Sequence, residues 1–496
     1  MRTIIFKQVK KIAIIGSGFS GISAACYLAK AGNEVVVFEK NSTIGGRARK
    51  FEAEGFIFDM GPSWYWMPDV FENFYNDFGY KTSDFYELLK LDPGFQIIYA
   101  QDEVLEVHAD FEKIKQTFES LEEGSAQKLE AFINEAAQKY TISMNSIVFK
   151  PSYSVLEYIS AQILKEIWNI DFFIPLRKSL SKYFKEEKLL KLMEFPVLFL
   201  GAMADKIPAL YSIMNYAALK QGTFYPQGGM HLIVSAFEKI ASQLGVQFIC
   251  NAPVESIEFE KGKAKGIISN GEFQAFDGVI SSADYHHTES KLIPTSIQNY
   301  DESYWEKKVF APSSLLFYLG INKKIDKLQH HNLFFDTDFE QHSHEIYTTP
   351  KWPTDPLYYV CCPSKTDPSV APKGSENLFI LIPIAAGLED TQVLRDLYFD
   401  KIMNRLETYC GMTIRDSIVY KRDYSKNDFV ADYNSYKGNA YGLANTLFQT
   451  AFFKPRLKNN KIKNLFYTGQ LTVPGPGVPP SIISGKIAAT ELMKHL

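Results

Sequence analysis

Three glycines near the N-terminal end of the sequence have the spacing of a loop that binds a dinucleotide. The hexapeptide Gly16 to Gly21, GSGFSG, directly follows the apolar run Ile12 to Ile15. That run predicts a buried parallel strand, and the glycines predict a tight turn into a helix. Gly16 would form the turn, Gly18 would let a pyrophosphate approach the backbone, and Gly21 would let the helix pack closely on the strand. The phosphates would then lie at the positive end of the helix dipole.

An acidic residue follows at the distance that such a loop requires. The run Val35 to Phe38 predicts a second buried strand, which is followed by Glu39, 23 residues after Gly16. This is close to the offset of about 20 residues at which a carboxylate accepts the ribose hydroxyls of the nucleotide. The order of strand, glycine turn, helix, strand and acid favours a dinucleotide-binding domain over glycines that only permit close packing.

A second glycine pair distinguishes between the two common dinucleotides. The segment Gly45 to Arg47 comes shortly after the second strand, and a further glycine turn lies at Gly61 to Ser63. A second glycine pair with an arginine suits a longer dinucleotide whose phosphates and ring system reach back across the sheet. The segment resembles the superfamily of FAD-containing amine oxidases and phytoene desaturases. FAD is therefore favoured over NAD.

Composition and charge exclude several other classes of protein. The chain has 496 residues, 46% apolar and 22% charged, which is enough for two or three domains with sizeable cores. Its net charge of −4 argues against a general nucleic-acid binder, because the sequence has no long basic stripe for phosphates. The longest uncharged apolar run, Phe195 to Ala204, is far shorter than the ~20 residues that cross a bilayer. The G-x-S-x-G elbow of serine hydrolases is missing from the sequence.

The positions of cysteine and histidine predict neither a metal site nor a disulfide framework. The five cysteines, an odd number without CxxC spacing, favour a reducing cytoplasm. The adjacent Cys361 and Cys362 favour small buried thiols over a redox pair. The histidine pairs at 286–287 and at 342 and 344 have no carboxylate or cysteine at ligand spacing, so we expect no metal.

The order of predicted elements indicates an α/β fold. A Rossmann-type FAD-binding domain is interleaved with a mixed-sheet substrate domain and a helical, membrane-associating region. The predicted hairpin Phe95 to Val107 leaves the first domain, and we expect it to pair with strands of the later substrate domain. The predicted division is FAD-binding domain, 1–94; substrate-domain hairpin, 95–110; helical region, 111–220; FAD-binding domain, 221–310; substrate domain, 311–455; and FAD-binding domain, 456–496.

A basic and aromatic stretch in the helical region predicts contact with a membrane surface. Between Lys165 and Lys191 there are seven basic and four acidic residues, a local charge of +3 in a chain of net charge −4. Apolar and aromatic residues crowd the same stretch from Ile163 onward. Basic residues beside an apolar face are typical of a helix that lies in the membrane interface. An ordinary helix with one core face and one solvated face has the same composition.

A second glycine-rich turn, far along the chain, predicts a partner for the first. The strand-like run Asn464 to Gln470 leads into the loop Leu471 to Pro480, and a helix follows to Leu496. The two prolines that end this loop suit the first turn of a helix, where a missing N–H costs nothing. The N-terminus of this helix would provide a second site for negative charge, near Gly477 and Val478.

With both turns considered together, the whole chain resembles the bacterial-type phytoene desaturases, a family of carotenoid desaturases. The motifs occur in the family's order: Gly16 to Gly21, Glu39, Gly45 to Ala48, Phe58 to Pro62, Tyr225 to Gly229 and Pro474 to Val478. The first motifs are shared with amine oxidases, whereas the Pro-Gly-x-Gly frame points to carotenoid enzymes. Five residues near the expected flavin and substrate depart from the family pattern: Gln470, Leu471, Val473, Pro476 and Pro480.

The resemblance implies an FAD-dependent desaturase that converts phytoene by successive dehydrogenations towards lycopene or an intermediate. The flavin would accept a hydride from an allylic carbon, and the protein would supply orientation and a dry channel. The resemblance places the family's candidate catalytic acid at Glu157, with a solvated helix carboxylate as the alternative. The implied cofactor-binding residues are Gly16, Ser17, Gly18, Phe19, Ser20, Gly21, Glu39, Lys40, Gly45, Gly46, Arg47, Gly61, Pro62, Ser63, Val254, Gly469, Gln470, Gly477 and Val478.

The resemblance also implies a place in the cell and leaves other functions open. The enzyme would be cytoplasmic and peripherally bound to the inner face of the cell membrane, with a quinone or oxygen as electron acceptor. The same fold could act on a C30 or later-step carotenoid, or serve as a ketolase. An isoprenoid- or lipid-binding escort that resembles the Rab GDP-dissociation inhibitors would share the fold without FAD. The intact glycine loop and Glu39 disfavour the escort.

Overall fold

The computed structural model describes residues 9–158, 174–198 and 201–496. Its strands are β1 (Lys11–Ile15), β2 (Glu34–Phe38), β3 (Lys50–Ala53), β4 (Phe56–Asp59), β5 (Leu88–Lys90), β6 (Phe95–Ala100), β7 (Glu103–Val107), β8 (Phe224–Pro226), β9 (Gln247–Ile249), β10 (Val254–Glu260), β11 (Lys263–Ser269), β12 (Glu272–Ala275), β13 (Gly278–Ser281), β14 (Ser313–Ile321), β15 (His331–Phe334), β16 (Tyr358–Cys361), β17 (Glu376–Ile384), β18 (Ile418–Tyr424) and β19 (Leu465–Tyr467). Its α-helices are α1 (Phe19–Lys30), α2 (Pro68–Asp77), α3 (Phe111–Leu121), α4 (Ser125–Ile142), α5 (Leu176–Leu180), α6 (Glu187–Leu198), α7 (Ile213–Tyr216), α8 (His231–Gln243), α9 (Tyr285–His287), α10 (Glu302–Glu306), α11 (Phe339–Tyr347), α12 (Gln392–Cys410), α13 (Lys426–Tyr433) and α14 (Val478–Met493).

A five-stranded parallel sheet forms the centre of the dinucleotide-binding part. Its strand order is β19-β13-β1-β2-β9, so separated segments of the chain contribute neighbouring strands. Ile12 of β1 pairs with Val35 of β2 on one side and with Gly278 of β13 on the other. These strands are buried on both faces, which explains why they read as continuous apolar runs. The carboxyl ends of parallel strands meet at one edge, and the turns that follow them meet there too.

Helices α1 and α14 pack against each other with a short distance between their backbones. A Cβ added at Gly485 would lie 2.3 Å from the Ser20 carbonyl oxygen and 2.8 Å from Ala24 N. The Ser23 hydroxyl donates a hydrogen bond to the carbonyl oxygen of Ile482 at 2.8 Å. Since α1 follows β1 and α14 follows β19, this contact holds both helix N-termini near the same edge of the sheet.

A seven-stranded sheet forms the substrate-side part of the molecule. Its strand order is β18-β14-β17-β16-β15-β6-β7, and all neighbours are antiparallel except β15 and β6. The hairpin of β6 and β7 joins the later strands through the pairing of Ile97 with Leu333. The predicted pairing of this hairpin with the later strands is therefore confirmed.

The two faces of the seven-stranded sheet have different surroundings. Leu315 and Phe317 of β14 pack with Ile402 and Leu406 of α12 in one hydrophobic cluster. The alternate residue Leu316 belongs to a different cluster and lines the cavity described below. Because side chains alternate along a strand, the sheet has one core face and one face that is available to a ligand.

The predicted membrane segment is only partly described, since residues 159–173 lie outside the described ranges. In the described part, Arg177 forms ion pairs with Glu187 at 2.8 Å and with Glu194 at 2.9 Å. The charge of Arg177 is thus balanced by carboxylates of the protein itself. Among the described helices, none combines the length and the apolar character that a bilayer span requires.

The close contact of α1 with α14 generates a prediction about stability. We expect Gly485→Ala to lower the free energy of unfolding by about 1–3 kcal/mol, because its Cβ would overlap the backbone of α1. Thermal unfolding of the FAD-free protein measures this effect. Thr490→Ala, at an exposed position of the same helix, is the matched control and should change stability little. Equal melting temperatures for Gly485→Ala and the wild type would contradict the packing argument.

Candidate functional site

The turn after β1 borders a cavity at the carboxyl edge of the parallel sheet. Gly16 has a φ of +93°, and its N–H donates to the carbonyl oxygen of Phe38 at 2.8 Å, which ties the turn to β2. A Cβ added at Gly18 would meet no described atom within 4 Å, so this part of the backbone faces open space. No described side chain caps α1 at Gly18, and the N–H groups of its first turn are left for a ligand.

Glu39 is fixed by its neighbours directly after β2. Its Oε2 accepts hydrogen bonds from Ser17 N at 3.0 Å and Ser17 Oγ at 2.6 Å. Its Oε1 accepts from Asn41 N and Asn41 Nδ2, both at 2.9 Å. The side chain is buried and lines the cavity. A carboxylate accepts about four hydrogen bonds in all, so a ribose hydroxyl would replace one of the two side-chain donors.

The second glycine pair places Arg47 in the wall of the same cavity. Gly45 and Gly46 have φ angles of +108° and +56°, and a Cβ at Gly46 would lie 3.2 Å from Gly18 Cα. The Arg47 guanidinium lies 4.8 Å from the ring centroid of Tyr433. Within the described part of the chain, the inaccessible Nε of Arg47 has no hydrogen-bond partner. An unpaired buried donor costs free energy, which favours a ligand with an acceptor group here.

Burial shifts the titration of two groups in this wall. It lowers the pKa of His287 to about 4, with the charge of Lys40 acting in the same direction, so this imidazole is neutral at pH 7. Burial raises the pKa of Asp284, and this effect exceeds the lowering by the hydrogen bond from His287 N and by the charge of Arg47. The cations that line the cavity, Arg47 and Lys40 among them, suit a ligand with negative phosphates.

The predicted cofactor-binding residues come together around one cavity of about 650 Å³. Those that line it are Gly16, Ser17, Gly18, Phe19, Ser20, Glu39, Lys40, Gly45, Gly46, Arg47, Gly61, Pro62, Ser63, Val254, Gly469, Gln470, Gly477 and Val478. Gly21 faces the turn after β1 instead, where a Cβ would lie 2.2 Å from the carbonyl oxygen of Gly16. Gly21 therefore permits the close packing of α1 rather than lining the cavity.

The residues that line the cavity suit the chemical groups of FAD. Helix α14 begins at Val478, directly after Gly477, whose φ is +107°. Both residues line the cavity, as does Gly18 at the start of α1. Two helix N-termini thus border one space, which provides separate positions for a pyrophosphate and for a ring that carries negative charge. The unpaired Nε of Arg47 and the fixed carboxylate of Glu39 add a donor and an acceptor.

Another part of the cavity is apolar. Its lining includes Trp64, Trp66, Met67, Met144, Ile147, Val148, Leu210, Ile213, Met214, Leu316, Phe379 and Leu381. These side chains come from the loop after β4, from the helical region and from the ligand face of the seven-stranded sheet. An apolar wall of this kind excludes water and binds hydrocarbon by burial rather than by hydrogen bonds.

Glu157 lies in a short 3-10 turn beside the cavity and is not one of the described lining residues. Its Oε1 accepts hydrogen bonds from Tyr153 N at 2.7 Å and Ser154 N at 3.0 Å, and its Oε2 accepts from Ser152 N at 3.0 Å. The carboxylate therefore fixes a turn whose Tyr158 lines the cavity. The catalytic role of Glu157 stays a prediction.

Some lining residues lie outside the predicted set. Ser282 to Asp284 line the cavity directly after β13, and a position at the carboxyl end of a parallel strand could have identified them. Asp432 to Asn434 also line it but come from the substrate-side part. Asp432 is joined to Arg49 by an ion pair of 2.6 Å. This contact depends on the fold, and no local pattern indicates it.

The sequence is similar over nearly its whole length to proteins of known families. A family model described as flavin containing amine oxidoreductase matches residues 19–493. The chain is 37% identical over 486 residues to a carotenoid 3,4-desaturase of Haloarcula japonica, with 98% of each chain covered. It is 29% identical to a zeta-carotene-forming phytoene desaturase of Myxococcus xanthus, covering 98% of this chain and 94% of that one. It is 30% identical to a 4,4'-diapophytoene desaturase of Staphylococcus haemolyticus, covering 98% and 99%.

Solved structures of low sequence identity share the fold. An oxidoreductase from Methanosarcina mazei superposes with a TM-score of 0.63 at 17% identity, covering 96% of this chain and 99% of that one. Putrescine oxidase in complex with putrescine superposes with a TM-score of 0.63 at 12% identity, covering 98% and 99%. At these identities the likeness shows the fold alone.

The open space at Gly18 generates a prediction about cofactor binding. We expect Gly18→Ala to weaken FAD binding at least about tenfold, because the new methyl group would project into the space left for phosphates. The FAD content of the purified protein and a fluorescence titration with FAD measure this. Without FAD, the variant and the wild type should have the same melting temperature, since the φ of −70° at Gly18 suits alanine. Wild-type FAD affinity in Gly18→Ala would contradict the assignment of this space.

Proposed function

Because the chain belongs to the flavin containing amine oxidoreductase family and, within it, to the carotenoid desaturases, we propose that its substrate is a long acyclic carotenoid. The chain is an FAD-dependent oxidoreductase that acts on CH–CH groups. The observation that supports the proposed substrate is the continuity of one cavity. The glycine loop at Gly18 and the apolar residues from Trp64 to Leu381 line the same space.

The residues of the cavity suit a reaction at carbons without an acidic proton. Bound FAD supplies the two-electron oxidation that removes hydrogen from neighbouring carbons. The residues at Gly18 and Val478 would hold it through helix N-termini, and Arg47 would donate to it. Leu316 and Leu381 would orient the hydrocarbon and keep water away. Few polar catalytic groups are required, because the wall positions the substrate and the cofactor carries the chemistry.

Two acyclic carotenoids are candidate substrates. The first is phytoene, which is supported by the pattern of the motifs and by the similarity to the Myxococcus xanthus enzyme. A more conjugated carotenoid that is still saturated at its 3,4 bond is the second. The identity of 37% to the Haloarcula japonica carotenoid 3,4-desaturase, against 29–30% to the phytoene and diapophytoene desaturases reported above, favours the second.

Co-expression tests the substrate directly. We expect the chain to convert the pigment of at least one of two bacterial hosts, one that accumulates phytoene and one that accumulates lycopene. Each added double bond removes two hydrogens and shifts absorbance to longer wavelength, which chromatography with mass and absorbance detection records. Conversion of lycopene without conversion of phytoene would select the 3,4-desaturation. Gly18→Ala is the control for cofactor dependence and should convert less pigment than the wild type, and unchanged pigment in both hosts with the wild type would contradict the proposed substrate class.

A membrane surface is the proposed source of this substrate, because a hydrocarbon of this length resides in the bilayer. An exposed apolar group borders the cavity, and we name it the mouth patch: Leu156, Phe448, Phe452 and Phe453. Leu156 is 73% exposed and Phe448 is 71% exposed. The ring of Phe452 lies 6.4 Å from that of Tyr158, which lines the cavity. Exposed apolar side chains at a cavity edge favour insertion into lipid.

Exposed basic residues also favour an anionic membrane surface. Lys178, Lys182 and Lys185 of the predicted membrane segment are exposed, and they would attract the anionic inner face of a cell membrane. Residues 159–173 of that segment lie outside the described ranges. A quinone shares the bilayer with the proposed substrate, which supports a quinone as electron acceptor, with oxygen as the alternative.

Vesicle flotation tests the mouth patch. We expect the double variant Leu156→Ser/Phe448→Ser to lose most of its binding to vesicles of phosphatidylcholine and phosphatidylglycerol, since each change removes exposed apolar area from the patch. Phe273→Ser is the matched control, because Phe273 is 54% exposed on the remote strand β12. The two proteins should have equal FAD content. Undiminished flotation of the double variant would exclude the mouth patch as the docking surface.

A further inference from the structure

Two histidines and a cysteine form a buried cluster outside the residues assigned above. His331 begins β15, His330 precedes it, and Cys361 ends β16; His331 and Cys361 are paired across the two strands. All three side chains are buried, and one ligand atom from each lies within 4.8 Å of those of the other two. Local spacing in the sequence gave no indication of the cluster, because Cys361 lies 30 residues after His331.

The hydrogen bonds of both imidazoles leave a nitrogen unpartnered. His330 Nδ1 bonds the Thr366 hydroxyl at 2.8 Å, and His331 Nδ1 bonds the Tyr359 hydroxyl at 2.6 Å. Tyr359 donates its own proton to Ser63 Oγ at 3.1 Å, so His331 Nδ1 is the donor to Tyr359. His331 Nε2 then carries a lone pair. Among the described residues, neither Nε2 has a hydrogen-bond partner.

His342, a buried histidine outside the cluster, has hydrogen-bond partners at both of its ring nitrogens. His342 Nε2 lies 3.0 Å from the carbonyl oxygen of Pro383, and His342 Nδ1 accepts from Leu357 N at 2.9 Å. Both of its ring nitrogens are thus used. A buried polar atom without a partner costs free energy, and His330 and His331, whose ring centroids lie 4.5 Å apart, leave one such atom each.

We propose that His330, His331 and Cys361 bind one divalent transition-metal ion of the zinc type. Two neutral imidazoles and a thiolate are ligands that zinc prefers, and the Cys361 thiol would lose its proton to solvent on binding. Zinc bond lengths place neighbouring tetrahedral ligand atoms roughly 3.3–3.6 Å apart. The ligand atoms, which all lie within 4.8 Å of one another, need to close by at most about 1.5 Å.

The surroundings supply the other parts of a metal site. A separate cavity of about 20 Å³ is lined by His330 and Cys361. It has room for one water, the usual fourth ligand where a protein supplies three. The Nδ1 bonds to Thr366 and Tyr359 orient the rings, as outer hydrogen bonds do in known metal sites.

A metal bound at this cluster would stabilise the wall of the large cavity. Pro62, Ser63 and Phe379 line both the small cavity and the large one. The bond from Tyr359 to Ser63 already joins the sheet to the loop after β4. A metal at His331 would fix Tyr359 further and so hold the substrate-side sheet against the cofactor-binding loop.

Metal analysis of the FAD-loaded full chain tests the proposal. The protein is treated with a chelator, incubated with Zn²⁺, passed through a desalting column and analysed for zinc. We expect about one zinc per chain in the wild type and a loss of bound zinc in Cys361→Ser and His331→Gln. Cys362→Ser is the matched control, because Cys362 Sγ contacts Ser364 and Glu376 in the opposite core, and it should keep the zinc.

A spectroscopic measurement on the wild type keeps the test independent of variant folding. Co²⁺ bound to a thiolate gives a near-ultraviolet charge-transfer band, which we expect to appear on loading and to disappear when Zn²⁺ is added. A wild type that binds no zinc, or a Cys361→Ser variant that keeps it, would overturn the proposal. Co²⁺ loading without a thiolate band would overturn it as well.

Discussion

The contact between α1 and α14 is the constraint on which the cofactor-binding geometry depends. Each helix begins at the carboxyl edge of the parallel sheet, and Gly485 lets their backbones approach where any Cβ would overlap Ser20. The approach brings two positive helix ends to one cavity, where phosphates and a charged ring are stabilised. Glu39 is held beside this cavity by Ser17, in the turn before α1, and Arg47 lies against Tyr433 of α13 on the substrate side.

The apolar part of the cavity is built on a different physical basis. A hydrocarbon offers no hydrogen bonds, so its binding depends on the area it buries and on the shape of the wall. That wall combines side chains of the seven-stranded sheet, such as Leu316 and Phe379, with side chains of the helical region, such as Met144 and Leu210. Because no single side chain determines the fit, selectivity among long polyenes is distributed over several elements.

This difference explains how much of the molecule could be predicted from the sequence. The glycine loop, Glu39 and the Phe95 hairpin follow from local patterns, and the structure brings the predicted cofactor-binding residues, except Gly21, to one cavity. Strand β18 is difficult to predict from the sequence, because it lies at the sheet edge, where charged residues are tolerated and alternation weakens. The placement of Asp432 at the cavity and the cluster at His331 depend on contacts between distant segments, for which a single sequence carries no signal.

The interleaved order of the parallel sheet has a consequence for synthesis on the ribosome. The strand β1 and its glycine loop leave the exit tunnel early, but their neighbour β13 is made more than 200 residues later, and β19 later still. The central strand β1 lacks its neighbour on one side until β13 has been made. Helix α14 can pack on α1 only after residue 485 has been added. The complete cavity, with both helix N-termini at its edge, therefore forms only after β13, β19 and α14 have been made.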